Sequence, residues 1–333
     1  MPDVFLHDTY ITSTSAGRWA FVLLSFALGG TLGSFLNVVV YRLPRRMSLS
    51  FPGSHCPACG KPIRWHDNVP IFGWLWLGGR CRDCRAPISP RYPLVEALVA
   101  TASAALAWAE LFVPIPPPAF DLPAEYALNL GPYGFHLLLI CALIVAALME
   151  YDGHRPPPRM LSLVMAIGLA AGGMWPELRS HAALGASHLA GVLDGVLGGL
   201  TALALASLAW PAWVARADRE HIARGSTAVA ELVLVGIYLG TRELAVAAGV
   251  AMLLSTLSRL LGRVWPWWAR FGWAGCLAVA TLGTIVAMRS AGELDARLLE
   301  YDTTTTLIGA GIAIAVAAVA ARFAGSARNR AAS

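Results

Sequence analysis

Apolar residues gather in nine runs along the chain, at 19–40, 93–113, 132–150, 160–175, 189–214, 227–240, 244–262, 271–288 and 303–323. The runs are continuous and do not alternate. That is the pattern of helices, not of barrel strands of about ten residues with one wet face. A bilayer core about 30 Å thick takes roughly 20 residues of helix. The runs at 160–175 and 227–240 are short for that, so the pattern predicts about eight or nine transmembrane helices in an all-α polytopic membrane protein. The expected organisation is an N-terminal transmembrane anchor at 1–40, a small loop domain at 41–92, a membrane-embedded domain at 93–262 and an additional C-terminal transmembrane region at 263–333. The first run is too long for a signal peptide and its basic cluster follows it, so we expect it to be retained as an anchor.

Composition narrows this reading. Of 333 residues, 57% are apolar and 14% charged, against about 25% charged in soluble globular chains. The net charge of +5 is unevenly spread. Segment 41–92 carries nine basic residues (Arg42, Arg45, Arg46, Lys61, Arg64, Arg80, Arg82, Arg85, Arg91) against Asp67 and Asp83. Segment 114–131 has no Lys or Arg and contains Asp121 and Glu125. The positive-inside bias puts 41–92 in the cytoplasm and 114–131 on the other side. Carried forward, 151–159 and 215–225 are cytoplasmic, and with nine spans so is the tail with Arg322, Arg328 and Arg330. The basic excess reflects topology beside membrane lipid, and no nucleic-acid partner is expected. Trp265-Pro266-Trp267-Trp268 with Arg263 and Arg270 reads as an aromatic belt anchor. The Pro-rich run 114–118 reads as a turn, and the glycines in 191–199 favour close helix contact.

Four of the six cysteines form Cys56-Pro57-Ala58-Cys59 and Cys81-Arg82-Asp83-Cys84. Two residues between cysteines let both thiolates of a tight turn face one ion, so the pairs predict a tetrahedral, structural zinc site. Gly60 suits a turn with positive φ. Two disulfides or a redox pair is the alternative, which a reducing cytoplasm disfavours. A closed site of four thiolates has no open position for catalysis, and metal binding would supply much of the loop's folding free energy. His55 and His66 read as ordinary loop residues, and Cys141 and Cys276 as small buried hydrophobes.

The same stretch carries a family resemblance. Gly33-Ser34-Phe35-Leu36-Asn37-Val38-Val39-Val40-Tyr41-Arg42-Leu43-Pro44 leads into the first cysteine pair, followed by Ile63-Arg64-Trp65-His66-Asp67-Asn68-Val69-Pro70. After the second pair comes Ile88-Ser89-Pro90-Arg91-Tyr92-Pro93-Leu94-Val95-Glu96. Over roughly 29–98 this closely resembles the N-terminal domain of bacterial type IV prepilin peptidases, the leader peptidase/N-methyltransferases. The resemblance implies a bacterial inner-membrane aspartic endopeptidase. It would cleave leaders of type IV pilin or type II secretion pseudopilin precursors at the cytoplasmic face. Methylation of the new N-terminus from S-adenosylmethionine is a further implied activity.

The resemblance also implies two catalytic aspartates at the cytoplasmic ends of helices. Tyr151-Asp152-Gly153-His154-Arg155-Pro156-Pro157-Pro158 matches the first, so Asp152 is a candidate catalytic acid. Asp194, in Leu193-Asp194-Gly195-Val196-Leu197-Gly198, looks structural in the comparison. The trailing signature of the second motif stands at Leu234-Val235-Gly236-Ile237-Tyr238-Leu239-Gly240, and counting back puts Ala228 on the aspartate and Ala230 on the lysine. An aspartic peptidase needs two carboxylates. Glu231, one turn beyond Ala228, is the nearest replacement acid, and a charge inside a span points to function. The competing reading leaves Glu231 near the interface or bonded to Ser226, Thr227 or Arg224. Asp218 and Glu220 read as solvated partners of Arg216 and Arg219, and Glu150 faces away from Asp152. The alternative function is a non-proteolytic homologue that keeps methyl transfer or a pilin-binding role in assembly.

Overall fold

A computed structural model describes residues 15–112, 130–179, 187–214, 219–261 and 272–290. These form α1 (Ser15–Arg42), α2 (Phe72–Trp76), α3 (Arg91–Phe112), α4 (Leu130–Tyr151), α5 (Pro158–Met174), α6 (His188–Val214), α7 (Arg219–Leu239), α8 (Thr241–Leu261) and α9 (Trp273–Ser290). No β-ladder occurs among the described residues, only the isolated bridges His55–Pro62 and Arg80–Pro87. Eight of the nine apolar runs are helices. The ninth, at 303–323, lies outside the described residues. So do the 114–118 turn, the Trp265–Trp268 cluster with Arg263 and Arg270, and the side chains of Arg216, Asp218, Arg219, Glu220 and Arg224. Among the described residues, four helices are long and apolar enough to cross a bilayer: Trp19–Arg42, Arg91–Glu110, Leu130–Tyr151 and His188–Ser207. Pro158–Met174, Gly225–Leu239 and Trp273–Arg289 are shorter apolar helices.

The chain divides into two compact units, at about Phe112. The first holds α1, the 43–90 loop with α2, and α3. Its helices meet through Gly29 and Gly33, four apart on α1: a Cβ on Gly29 would strike Ser103 and the Val99 carbonyl, and one on Gly33 would strike the Glu96 backbone. This small-residue spacing lets two backbones approach where lipid offers no hydrophobic drive for helix association. Ser103 Oγ donates to the Ser25 carbonyl across the seam at 2.6 Å.

The second unit holds α4 to α9. Its tightest pair is α6 against α7, where Gly198 and Gly236 meet face to face and a Cβ on either would collide with the other's carbonyl. Gly191 packs in the same way on Gly172 of α5. Sequence reading expected close contact from the glycines at 191–199, and the structure shows what it serves. Arg179, only 3% exposed, threads the slot left by Gly172 and Gly195. Its guanidinium donates to the carbonyls of Gly191 at 2.6 Å and of Ile237 at 2.9 and 3.1 Å, and more weakly to Gly172 at 3.4 Å. Gly172 and Ile237 lie in the last turns of α5 and α7, where carbonyls lack helical partners and the dipole favours a cation. Asp194 of α6 is buried near enough for its charge to act on Arg179. The structural role that the resemblance implies for Asp194 has this physical content.

Candidate active site and metal centre

The two cysteine pairs sit on two turns of the same form. In the first, Cys56 N–H donates to Lys61 O and Gly60 N–H to Cys56 O, at 2.9 and 2.8 Å. In the second, Cys81 N–H donates to Ala86 O and Arg85 N–H to Cys81 O, at 2.8 and 3.0 Å. The residue after each second cysteine is left-handed: Gly60 at φ 71° and Arg85 at φ 61°. Each turn is closed by one of the two isolated bridges. The four sulfurs all fall within 4.8 Å of one another, and Cys56 Sγ lies 3.8 Å from Cys84 Sγ. Thiolates at about 2.3 Å from one zinc stand about 3.8 Å apart along a tetrahedral edge. None of the four is in a disulfide, and together they can hold a metal ion.

The electrostatics of the four thiols fits a cation. Backbone N–H groups of Cys59 and Ala58 hold the Cys56 thiol down at about 7. The Ala86 N–H pulls Cys84 the same way, yet desolvation and the neighbouring sulfurs push that thiol up to about 11. Four thiolates cannot ionise together without a positive charge between them. The histidines stand aside: His55 Nδ1 pairs with the Gly53 carbonyl at 2.9 Å, and His66 lies beside Asp67.

Both acids of the loop are used in holding it. Asp67 receives a two-pronged contact from Arg82, at 2.6 and 2.7 Å, which ties the second cysteine turn to the 65–67 segment and lowers the Asp67 carboxyl. Asp83 lies between Lys61 and Arg64, at 3.3 and 3.5 Å. Trp74 Nε1 donates to Ile88 O at 2.9 Å, and its ring covers Gly79. Ile71 is a β-branched residue at φ 63°, an uncommon state. The buried Glu96 of α3 holds it by accepting the Ile71 N–H at 2.6 Å. Sequence reading quoted Glu96 only as the end of a motif and gave it no task.

The acids of the second unit lie at different depths. α4 ends in a Schellman motif: His154 N–H donates to Met149 O, Gly153 N–H donates to Glu150 O, and Gly153 takes φ 75°. This makes Gly153 the residue after the helix cap and leaves Asp152 exposed as the cap itself. Glu231 on α7 is 0% exposed, and neither carboxyl oxygen has a hydrogen-bond partner. The expected bonds to Ser226 or Thr227 are not made, and the Arg224 side chain lies outside the described residues. Ala228 is also buried. Phe135 of α4 stacks on Tyr238 of α7, with ring centroids 4.3 Å apart, so the start of α4 meets the end of α7. At about 1.5 Å per residue, Asp152 lies roughly 25 Å from that stack along α4 and Glu231 roughly 10 Å along α7. Glu150, half-buried, accepts the Ala274 N–H of α9 at 3.2 Å, a contact the sequence did not signal.

Residues 27–110 match the family model of the Bacterial Peptidase A24 N-terminal domain. This part of the chain is similar to that family. The matched stretch takes in most of α1 and α3, both cysteine turns, Arg82–Asp67 and Glu96. A protein of Myxococcus xanthus named prepilin leader peptidase/N-methyltransferase is 51% identical over 78 residues, 23% of each chain. Proteins of the same name from Klebsiella pneumoniae and Pseudomonas aeruginosa are 37% and 34% identical over 163 and 175 residues. Those matches cover 46% of this chain in both cases, and 64% and 54% of the relatives. The chain thus spans less than two-thirds of the curated relatives it matches. No solved structure matches it.

Proposed function

We propose that the chain is a multi-pass enzyme of the bacterial inner membrane, a prepilin-peptidase-like endopeptidase of the aspartic type that removes leaders from type IV pilin or type II secretion pseudopilin precursors. The observation that carries this is Glu231: a carboxyl buried completely inside a helix bundle, with both oxygens without hydrogen-bond partners. Such a group is costly in a membrane and marks a functional site by default. The second acid comes from the cytoplasmic end of α4, where Asp152 (the residue indicated by the resemblance) and Glu150 are the candidates. The substrate's apolar helix enters from the lipid, so cleavage falls at the membrane boundary. The four-cysteine loop faces the cytoplasm, and zinc held by Cys56, Cys59, Cys81 and Cys84 fixes its fold without taking part in the chemistry. The test is cleavage of a prepilin-type peptide by the purified, zinc-loaded chain in detergent, beside Glu231→Gln. Cleavage abolished in the variant supports the reading, and no cleavage by the folded parent chain overturns it.

Ala228 favours a second reading, because it leaves the expected position without a carboxylate. In that reading the chain is a non-proteolytic homologue that N-methylates processed pilin-like proteins from S-adenosylmethionine, or binds them during assembly. Transfer of a labelled methyl group to a mature pilin N-terminus, with no leader cleavage, is its signature.

A further inference from the structure

We propose that residues 69–77 form a re-entrant segment that dips to about mid-depth in the bilayer and presents Phe72, Leu75 and Trp76 to lipid acyl chains, while the cysteine turns on either side of it stay at the membrane face. The depth follows from what the segment touches. Pro70 packs on α1 at Gly30, where a Cβ would lie 3.3 Å from Pro70 Cβ and 3.9 Å from Ala100 Cβ of α3. Ile71 N–H is held by Glu96 of α3 at 2.6 Å. These contacts lie well inside two helices that are each long and apolar enough to span. Gly30 is twelve positions, roughly 18 Å, from Arg42 at the end of α1, and Ala100 is nine positions, roughly 14 Å, from Arg91 at the start of α3. Beyond that level α1 has fifteen positions left to Ser15 and α3 twelve to Phe112, roughly 22 and 18 Å. Neither remainder crosses a hydrocarbon core about 30 Å thick, so the core reaches at least about 8 Å past Pro70 towards the cysteine turns. The Trp19–Trp108 pair, with ring centroids 5.0 Å apart, marks the opposite interface. Gly30 lies eleven positions, roughly 16 Å, from Trp19, which is about half the core.

Irregular backbone at that depth is tolerated only where its polar groups are satisfied, and here the tip accounts for its own. It is a γ-turn of the uncommon positive-φ form, with Ile71 at φ 63° and ψ −56°. Pro70 brings no N–H. Phe72 N–H donates to Pro70 O at 2.6 Å, Gly73 N–H to Val69 O at 2.7 Å and Leu75 N–H to Ile71 O at 3.2 Å. The Ile71 N–H goes to Glu96, which gives that buried carboxyl its task.

α2 then leads back out. Phe72, Leu75 and Trp76 fall at i, i+3 and i+4 on one face, each more than half exposed, whereas Gly73 packs on the Asp67 carbonyl. At the same levels α1 and α3 expose Leu28 and Leu98. Depth decides the occupant: an apolar face open at the middle of a bilayer meets acyl chains. Both flanks return to the membrane face. Ile88 N–H donates to Gly79 O at 2.7 Å, three residues before α3 begins. Arg42 donates to Pro52 O at 2.6 Å and to Ser48 O at 3.0 Å, which holds the stretch before Cys56 at the end of α1.

The test places a fluorescent amino acid at Leu75 in the full, zinc-loaded chain in liposomes, and separately at Phe51. Phe51 is as open as Leu75 but stands next to Pro52, at the end of α1. Lipids with a nitroxide at the acyl terminus should quench the Leu75 probe about twofold more than lipids with a nitroxide on the headgroup, and iodide in the buffer should hardly quench it. The order should reverse at Phe51. A second arm needs no probe: Leu75→Lys should lower the thermal midpoint in liposomes further than Phe51→Lys, because a cation in the core is costly. A Leu75 probe that iodide reaches as readily as the Phe51 probe puts the segment in water and overturns the proposal. A Leu75 probe that neither lipid nor iodide quenches is covered by protein, and overturns it too. Equal midpoints for the two lysine variants do the same.

Discussion

Replacing Arg179 by Met removes a cation that caps two helices at once. Its guanidinium makes three close donations, to Gly191 and twice to Ile237, and one long one to Gly172. A hydrogen bond to a charged group contributes about 1.5–3 kcal/mol net, and bonds from one side chain do not add in full. Asp194 meanwhile stays buried and loses the guanidinium near it. Leaving the buried carbonyls of Gly191 and Ile237 without this donor costs about 1–3 kcal/mol each, so we take about 3 kcal/mol as the expected loss for Arg179→Met. The assay is the unfolding midpoint in detergent, read on the purified chain by loss of helical signal. Arg179→Lys should recover little, because an ammonium cannot fork to carbonyls on two sides. Arg179→Met with Asp194→Leu should be more stable than Arg179→Met alone. If Arg179→Met unfolds within about 1 kcal/mol of the parent, or the double variant is worse than the single, the capping account is wrong.

Three further outcomes are expected. Elemental analysis should find one zinc per chain, and Cys84→Ser should lower it and speed proteolysis of the 43–90 loop; an unchanged metal content would exclude the four-thiolate site. Asp67 has a folded carboxyl below its ordinary range because Arg82 donates to it, so its contribution is present at neutral pH and is lost as the pH falls through the lowered value. Metal-loaded loop protection in Asp67→Asn should therefore lack the acid-side loss seen in the parent, and an identical acid profile would refute the pairing. Gly33→Leu should separate α1 from α3, costing roughly 1–3 kcal/mol or more, whereas Gly53→Leu, with open space around it, should be near neutral by the same midpoint.

The helices were legible because a membrane span writes its length into composition, and the cysteine turns because their spacing is set by one ion. Pairing of carboxylates was not. Sequence reading placed Glu231 one turn beyond Ala228, and the structure shows it fully buried with both oxygens unpartnered. It took Asp152 as the partner because that residue fits a motif. Which residue of α4 meets α7 depends on the Phe135–Tyr238 register, and no local pattern encodes it. Arg179 was missed for a related reason: a single arginine between two spans reads as a loop charge. The signal was present in the small residues Gly172, Gly191 and Gly195, which are spaced to admit something large. Glu96 was hidden inside a motif, since its task is to hold Ile71, twenty-five positions earlier.

The two cysteine turns share one pattern of backbone hydrogen bonds and bridges, and they break that likeness at one position. Gly60 takes the left-handed conformation freely, while Arg85 takes it at φ 61° with a full side chain. Left-handed backbone costs a non-glycine residue about 1 kcal/mol or more. A duplicated turn with glycine at both positions would be the relaxed solution. The second copy forgoes it and carries a cation there instead, so the two halves of the loop are specialised: one for ease of folding, the other for the positive face it presents.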